Sequence, residues 1–477
     1  MKRISWLPIA PIVTACVAAL ASGIAPMAIT AAESPTLEKV VLQAGCDNPM
    51  ELAVLPDGRV LFVERFGAVR IWKPDTGKTV LAAKLPVHGH LNAIQAGQPD
   101  RGSWEAGVLG VTLDPAFAKN GWVYLYHSPV GDASENRLSR FTLNGDTLDL
   151  SSEKVVLRVA VDRDVCCHEA GSLAFDGEGN LFLSTGDNTN PFESDGYSPT
   201  DYRENRYRWD AARSAGNAND LRGKILRIHP EPDGTYTIPP GNLFPAGTPK
   251  TRPEIYVMGC RNPFRISVDG RSGTVYWGDV GPDAREPKPE RGPAGFDEIN
   301  RAATAGNYGW PFVIGDNRPY IRYDFATRQS GPLQDPAKPL NLSPNNTGPT
   351  ELPPARAAWI AYPYSASTRF PVVGSGGRTA AAGPLYHFDA TLASPRKLPQ
   401  AWDNSLFIYD WERHWIIAVK LDQAGEMVRM ERFAADIPLK RPVEMELGPD
   451  GALYLIEFGT AWENNKDSQI IRIEPVP

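Results

Sequence analysis

The sequence has few cysteines, no excess of basic residues, and no long apolar run beyond its N-terminal segment. Five cysteines among 477 residues exclude a disulfide-dense miniprotein. The 49 basic and 56 acidic side chains give a net charge of −7, which argues against a protein that neutralises nucleic-acid phosphates. We therefore expect no nucleic-acid partner and no transmembrane segment.

Several cofactor and metal motifs are also missing. The chain has no CxxCH sequence for covalent haem, so any electrons that it removes must pass to a separate acceptor. No CxxC pair or HExxH helix accompanies Cys167-His168, which argues against a zinc site there. The stretch Gly374-Ser375-Gly376-Gly377 is not followed by a helical pattern, so a dinucleotide-binding βαβ unit is unsupported.

Glycine and proline are abundant and favour a fold of many short strands. The chain contains 43 glycines and 44 prolines, the residues that end strands and form turns. Hydrophobic residues make up 42% of the chain, which is enough for a large core. This composition favours an all-β protein.

The first residues are typical of an export signal. A basic start at Lys2 and Arg3 precedes an apolar stretch, and small residues near Ala32 offer a cleavage point. We predict a signal peptide over residues 1–32 and a periplasmic or secreted protein. Cys16 loosely resembles a lipoprotein acylation site, but the apolar run continues past it, so anchoring there is the less favoured alternative.

Cleavage of that signal would leave four cysteines in an oxidising setting, namely Cys46, Cys166, Cys167 and Cys260. The even number allows one or two disulfides. Pairing the adjacent Cys166 and Cys167 would close a strained eight-membered ring, and two free thiols packed under a loop are the alternative. The sequence leaves the pairing open.

Six segments repeat one pattern, in which a polar residue is followed by alternating apolar residues, a turn, and aromatic or β-branched residues. Each copy predicts a two-stranded hairpin, and strand-like runs follow most copies. Stacked hairpins closed into a ring predict a six-bladed β-propeller over residues 33–477. The copies begin near Asp47, Glu105, His168, Arg261, Gly383 and Arg441.

Two long polar stretches interrupt the repeats, at about 187–220 and 331–377. We interpret both as insertions over one end of the ring, because structureless loops of this length are usually functional. The inner strands of a propeller start at the same end of the channel, so the residues that open the repeats should converge around an axial pocket. A channel lined by solvated side chains is the alternative. These openers are Asn48, Glu105, His168, Arg261, Asn262 and Arg441.

The chemistry of these residues suggests a site. A hairpin can return Asp187 to the start of the strand that follows His168, where a carboxylate would fix the imidazole tautomer and support proton abstraction. The adjacent Arg261 and Asn262 suit the carboxylate and carbonyl of a planar ligand. The carbonyl oxygens at Gly281-Pro282 are suitable ligands for calcium.

With these motifs in place, the chain resembles the quinoprotein glucose/sorbosone dehydrogenases, six-bladed propellers that use pyrroloquinoline quinone (PQQ) and calcium to oxidise sugars. The resemblance covers roughly residues 40–475. Its strongest stretches include HEAGSLAFDGEGNLFLSTGD, RNPFRISVD, DEINRAATAGNYGWP and GPDGALYLIEFG.

The resemblance implies a role for each candidate residue. His168 matches the family's catalytic base, which takes the proton of the substrate hydroxyl while a hydride passes to the quinone, and Asp187 matches its carboxylate partner. The matched cofactor contacts are Arg261, Asn262 and Arg441. The remaining matches are the calcium-binding carbonyls of Gly281 and Pro282 and a substrate-pocket position at Glu105.

Two positions depart from the family pattern. Glu412 stands where the glucose enzymes place a cofactor-binding lysine, and Arg413 would substitute only if the register shifts by one. Val443 stands where they place a second arginine after the position of Arg441. Because a charged hydrogen bond is worth roughly 1.5 to 3 kcal/mol, losing two cations would weaken the attraction for a tricarboxylate cofactor.

The leading hypothesis is therefore an exported, calcium-dependent quinoprotein dehydrogenase that oxidises the anomeric hydroxyl of an aldose or oligosaccharide. Its electrons would pass to a separate acceptor such as a cytochrome or a quinone. One alternative is a carbohydrate-binding propeller without redox chemistry. Another is a calcium-dependent lactonase, for which Asn48, Glu105 and Asn262 supply only part of a ligand set, while Arg261 and Arg441 would repel a metal.

Overall fold

The computed structural model describes residues 36–89, 105–131, 133–462 and 465–476. The predicted signal peptide at 1–32, including Cys16, lies outside these residues. Among the residues described, no helix is long and apolar enough to cross a membrane.

Six antiparallel sheets carry most of the regular structure. The first strand, β1 (Leu37–Ala44), belongs to the last sheet, and the sheets that follow it are built in chain order. Blade 1 comprises β2 (Pro49–Val54), β3 (Val60–Glu64), β4 (Ala68–Lys73) and β5 (Lys78–Lys84). Blade 2 comprises β6 (Val108–Leu113), β7 (Trp122–His127), β8 (Glu135–Asn144) and β9 (Thr147–Ala160), with the short helix α1 (Phe117–Asn120) between its first two strands.

Blades 3 and 4 carry additional short strands. Blade 3 comprises β10 (Ala170–Phe175), β11 (Leu181–Thr185), β12 (Lys224–Pro230), β13 (Tyr236–Thr237), which pairs with β12, and β14 (Ile255–Met258). Blade 4 comprises β15 (Pro263–Val268), β16 (Val275–Asp279), β17 (Asp297–Ala302) and β23 (Ile360–Tyr362). Between the last two lie β18 (Gly306–Asn307), which joins the sheet of blade 3, and the hairpin strands β19 (Val313–Ile314), β20 (Arg318–Pro319), β21 (Ile321–Asp324) and β22 (Gln329–Leu333).

The last two blades complete the ring. Blade 5 comprises β24 (Ala380–Tyr386), β25 (Ser405–Asp410), β26 (Trp415–Leu421) and β27 (Met427–Phe433). Blade 6 comprises β28 (Pro442–Leu447), β29 (Leu453–Glu457) and β30 (Gln469–Pro475), and its fourth position is filled by β1. Short 3₁₀ helices lie at Tyr207–Trp209, Ala211–Arg213, Pro371–Val373 and Gln400–Trp402.

The inner strands of the six blades contact one another in chain order, and β28 contacts β2 to close the circle. This arrangement confirms the predicted six-bladed β-propeller. The inner ring is tight: a Cβ on Gly110 of β6 would lie 2.0 Å from the carbonyl oxygen of Gly171 on β10, so only glycine fits there. Between blades 3 and 4, fully buried side chains such as Phe182, Val257 and Trp277 pack together, each contributing about 1.5–3 kcal/mol by burial.

The repeat starts and insertions differ from the prediction in two places. The inner strand of blade 5 begins at Ala380 and not near Gly383, because its alanine run gives no apolar alternation. The stretch at about 187–220 lies in the connection between β11 and β12. The second lies at 303–359, between β17 and β23, because the predicted range 331–377 contains β23, a strand of blade 4.

Candidate active site

The residues that open blades 2, 3 and 4 are joined by hydrogen bonds at one end of the channel. The Glu105 carboxylate accepts hydrogen bonds from the backbone N–H of Glu169 at 2.9 Å and from Asn262 Nδ2 at 3.4 Å. It therefore connects blades 2, 3 and 4. The backbone N–H of Asp187 donates to the carbonyl of Arg261 at 2.8 Å, which joins blades 3 and 4 a second time.

His168 and Asp187 form a buried pair at the centre of this arc. His168 Nδ1 lies 2.7 Å from Asp187 Oδ1, and neither residue is more than 5% exposed. The carboxylate accepts two further hydrogen bonds, from Trp310 Nε1 to Oδ2 at 2.8 Å and from the Thr189 amide to Oδ1 at 3.0 Å. Because Nδ1–H donates to the carboxylate, Nε2 carries the free lone pair. It has no hydrogen-bond partner in the described part of the chain, so this imidazole can accept a proton from a bound molecule.

The backbone around His168 is constrained on both sides. Cys166 and Cys167 form a disulfide, which answers the pairing that the sequence left open, while Cys46 and Cys260 are free and buried. His168 itself has φ 67°, a left-handed conformation that costs a non-glycine residue about 1–2 kcal/mol. Such conformations persist where the surrounding structure enforces them, often at functional sites.

The first insertion supports Asp187 from behind. Ser214 Oγ donates to the backbone carbonyl of Asp187 at 2.7 Å, and Lys224 Nζ donates to the carbonyl of Ser214 at 2.8 Å. Lys224 also donates to the carbonyls of Ala215 and Arg222, and burial lowers its pKa to about 7. The insertion is therefore fastened to the strand that leads to the site.

Buried acids hold the backbone of the openers in four other blades. Each acid ends the second strand of its blade and accepts a hydrogen bond from a backbone N–H just before the inner strand. These acids are Glu64, Asp279, Asp410 and Glu457. In blade 3 the corresponding residue is Thr185, and Asp187, two residues later, binds the His168 ring instead.

Arg261 and Asn262 present polar groups on the side of blade 4. Their backbone amides donate to the Asp279 carboxylate at 3.0 and 2.7 Å, and burial together with the Glu298 carboxylate raises the pKa of Asp279 well above its ordinary value. Arg261 Nη1 donates to the Val280 carbonyl at 2.8 Å, and its other guanidinium N–H groups have no partner within the described ranges. Asn262 Oδ1 is buried without a partner. The free Arg261 N–H groups suit an anionic oxygen of a planar ligand such as PQQ, whereas the Asn262 oxygen pairs only with a donor group of a bound molecule. Leaving such a buried acceptor unpaired costs about 1–3 kcal/mol.

Gly281 and Pro282, the predicted calcium ligands, are already engaged with other residues. The Gly281 amide donates to Asp297 Oδ1 at 3.0 Å, and the Pro282 carbonyl accepts Arg378 Nη2 at 2.8 Å. Arg378 Nη1 lies 2.5 Å from Asp297 Oδ1, and both side chains are about 1% exposed. In the described residues there is no group of three or more histidines, cysteines or acids that would hold a metal. With a guanidinium on one of its two expected ligands, this corner does not fit calcium.

Arg441 and Arg413, the two other predicted cofactor contacts, have different surroundings in the structure. Arg441 lies over the Trp411 ring, with Nη2 3.5 Å from the Glu412 carboxylate, and its buried Nε has no partner. Arg413 makes five hydrogen bonds to backbone carbonyls between residues 363 and 377, so none of its N–H groups is left for a cofactor. Arg441 is therefore a partly neutralised cation held beside Trp411 and Glu412 and bonded to the Thr460 carbonyl, and Arg413 holds the loop before blade 5.

Two residues of this region were not singled out from the sequence. Trp310 lies in the AGNYGWP stretch, whose position in the chain gave no sign that its indole reaches Asp187. Arg378 precedes the repeat that was predicted to begin near Gly383, and an inner strand beginning at Ala380 would have marked Arg378-Thr379 as the openers of blade 5.

Comparison with known proteins agrees with this architecture. The family model for glucose/sorbosone dehydrogenases matches residues 46–339. The aldose sugar dehydrogenase of Escherichia coli K12 is 29% identical over 446 residues, which are 92% of this chain and 93% of that protein. The quinoprotein glucose dehydrogenase B of Acinetobacter calcoaceticus is 23% identical, over 93% of this chain and 89% of that one.

Solved structures show the same fold. The PQQ-bound aldose sugar dehydrogenase of Streptomyces coelicolor superposes with a TM-score of 0.56 at 18% identity, covering 92% of this chain and 99% of that chain. The apo form of the soluble E. coli aldose sugar dehydrogenase gives a TM-score of 0.58 at 22% identity, covering 92% and 100%. Because the family model spans more than half of a chain that folds as a six-bladed propeller, the protein belongs to the glucose/sorbosone dehydrogenase family.

Proposed function

We propose that the protein is a PQQ-dependent dehydrogenase that oxidises the anomeric hydroxyl of an aldose or oligosaccharide. The family supports a sugar dehydrogenase of the quinoprotein propeller class. The observation that carries the proposal is the buried His168–Asp187 pair, whose free Nε2 lies at the same end of the channel as Arg261 and Asn262.

In this proposal His168 is the catalytic base. Nε2 takes the proton of the anomeric hydroxyl, and the Asp187 carboxylate holds the ring in the required tautomer and stabilises the imidazolium that forms. Trp310 and Thr189 keep the carboxylate in place by donating to its two oxygens. The charge created by proton transfer is thus balanced by a fixed, fully buried anion.

The remaining site residues bind and orient. When bound, PQQ supplies the two-electron acceptor for the hydride of the anomeric carbon. The free N–H groups of Arg261 would bind a cofactor oxygen, and Asn262 and Arg441 would supply further polar contacts to the cofactor. The half-buried Glu105 carboxylate is the proposed acceptor for a sugar hydroxyl. We do not include calcium in this assignment, because Arg378 is bound to the Pro282 carbonyl.

We also propose that the protein is exported and passes its electrons to a separate acceptor such as a cytochrome or a quinone. The basic and apolar N-terminal sequence supports export to the periplasm or the medium. The lack of a CxxCH motif supports a separate acceptor.

The proposal is tested by cofactor binding followed by turnover. PQQ is titrated into the purified protein by calorimetry, and a panel of sugars is then screened with an artificial dye acceptor. We expect stoichiometric PQQ binding and sugar-dependent dye reduction. His168→Ala should abolish reduction while PQQ still binds, whereas His229→Ala, a control on β12 whose ring contacts Asn180 in the turn before β11, should keep it. Unchanged turnover in His168→Ala would refute the assigned base.

One observation favours a second candidate, a carbohydrate-binding propeller without redox chemistry. Glu412 lies beside Arg441 and reduces the positive charge available to a tricarboxylate. Sugar binding by a folded protein that does not bind PQQ would establish this candidate in place of the dehydrogenase.

A further inference from the structure

A buried arginine occupies the corner of the site where the family resemblance implies a metal. We propose that the Arg378 guanidinium takes the place of calcium beside Gly281-Pro282, so that this protein binds its anionic cofactor without a divalent cation. The part of this inference that concerns the cofactor rests on the proposed function, whereas the part that concerns the metal does not.

Arg378 is fixed by three neighbours. Nη1 pairs with Asp297 Oδ1 at 2.5 Å, Nη2 donates to the Pro282 carbonyl at 2.8 Å, and the Tyr364 ring covers the guanidinium at 4.1 Å. Since the Arg378 and Asp297 side chains are each about 1% exposed, the positive charge is a permanent part of the interior.

Among the residues described, the Pro282 carbonyl and both oxygens of Asp297 already accept hydrogen bonds, whereas the Gly281 carbonyl accepts none. Calcium requires six to eight oxygen ligands at 2.3–2.6 Å. Asp297 Oδ1 is shared by Arg378 and the Gly281 amide, and Asp297 Oδ2 accepts the Ala380 amide at 2.8 Å. A calcium ion on the Pro282 oxygen would also face the guanidinium bound to that atom, and like charges repel strongly where water is excluded.

The backbone that carries Pro282 packs closely on the backbone of residues 295 and 296. A Cβ on Gly295 would lie 1.8 Å from the Pro282 oxygen, and a Cβ on Gly281 would lie 1.7 Å from the Phe296 oxygen, so both positions require glycine. The segment that carries the two carbonyls is therefore packed directly against the backbone leading to Asp297, the partner of Arg378.

The decisive experiment counts calcium ions bound by the chelator-treated protein without PQQ, by calorimetry or equilibrium dialysis. In Arg378→Gln the Pro282 carbonyl and one Asp297 oxygen lose their cation, so we expect one more bound calcium per chain than in the wild type. The control is Arg413→Gln, which removes an arginine bound to carbonyls but not to a carboxylate, and we expect it to match the wild type. Equal calcium stoichiometry in Arg378→Gln and the wild type would overturn the proposal.

A second measurement uses the wild type alone and remains valid if Arg378→Gln does not fold. PQQ is titrated in the presence of EGTA and again with added calcium. Equal affinity in both conditions supports the proposal, and binding that requires calcium refutes it while leaving the proposed dehydrogenase intact. Failure of PQQ to bind in either condition would refute the dehydrogenase, and the calcium count would still decide the role of Arg378.

Discussion

Blade 3 and blades 1, 4, 5 and 6 use a buried carboxylate at the same end of the ring for different purposes. In blades 1, 4, 5 and 6, the acid that ends the second strand accepts hydrogen bonds from the backbone of the opener. In blade 3 a threonine takes that position, and Asp187 binds the ring of His168. Moving the carboxylate by two residues thus changes it from a support of the main chain into the partner of an ionisable side chain.

The comparison distinguishes the buried acids that stabilise the fold from the buried acid that supports the reactivity of the site. An acid that holds backbone amides contributes to stability, and its loss should affect every function of the molecule equally. An acid that binds an imidazole contributes to the reactivity of that imidazole and contributes less to the stability of the propeller. The following substitutions, ordered from the largest expected effect to the smallest, test this separation.

The largest effect is expected for Asp187→Asn. The amide would no longer fix the His168 tautomer or balance an imidazolium, so we expect sugar-dependent turnover to fall roughly 10²–10⁴-fold. The melting temperature should fall no further than in Asp410→Asn, because the Asp187 carboxylate has three hydrogen-bond donors and the Asp410 carboxylate has four. Steady-state dye reduction and thermal unfolding measure the two quantities, and a large loss of stability with normal turnover of the folded fraction would reverse the comparison.

Glu298 in blade 4 gives a pH-dependent test. Burial raises its pKa from 4.5 to about 7. The folded protein therefore holds this proton more tightly than the unfolded chain, and the stabilisation is full below pH 4.5 and is lost as the pH rises through 7. We expect the free energy of unfolding of the wild type, relative to Glu298→Gln, to fall by up to about 3 kcal/mol across this interval. Denaturant unfolding of both proteins at several pH values measures it, and a difference that does not change with pH would contradict the assignment.

Asp410→Asn is the structural counterpart of Asp187→Asn. The Asp410 carboxylate accepts hydrogen bonds from Tyr362, Thr379 and the amides of residues 412 and 413. An asparagine would leave at least one donor unpaired, and we expect a loss of about 2 kcal/mol in the free energy of unfolding. The turnover per folded molecule should fall by a smaller factor in Asp410→Asn than in Asp187→Asn. A catalytic loss as large as in that variant, at unchanged stability, would remove the distinction between the blades.

The smallest effect is expected for Trp310→Phe. Phenylalanine keeps most of the packing but removes the N–H that donates to Asp187 Oδ2. A hydrogen bond to a charged group is worth about 1.5–3 kcal/mol, so we expect kcat to fall on the order of tenfold with little change in KM. Separate determination of kcat and KM across the pH range tests this positioning role. An altered KM with normal kcat would place Trp310 in substrate binding instead.

Much of the architecture follows from the sequence because the repeats carry it. The apolar alternation and the turns of the repeats predicted the six blades, and the order of the repeats predicted that Glu105, His168 and Asn262 meet at one end. The hairpin after His168 likewise predicted that Asp187 lies nearby, and the structure places the two 2.7 Å apart. These are local patterns, repeated along the chain, and they survive without tertiary information.

Other features depend on contacts that no local pattern records. Arg413 stands next to the expected lysine position, yet its guanidinium binds carbonyls of a loop up to fifty residues earlier. Arg378 precedes a strand of alanines and binds an acid of another blade. The Cys166–Cys167 pair can be a disulfide or two free thiols in the same sequence, and the structure contains the disulfide. The two arginine contacts depend on which distant backbone or side chain lies nearby in the fold, and the disulfide depends on the redox conditions. A local sequence pattern predicts neither.

The pairing of β1 with β30 sets how this molecule assembles. Leu37 lies opposite Pro475, so the last blade is formed by strands from the two ends of the described chain. Until β1 pairs with β30, blade 6 lacks its outer strand. Closing so long a loop carries a large entropic cost, and contacts this distant in sequence form late in folding. We therefore expect the pocket to become able to bind a ligand only at the last folding step. In that step β1 pairs with β30 and the separate blades become one cooperative unit.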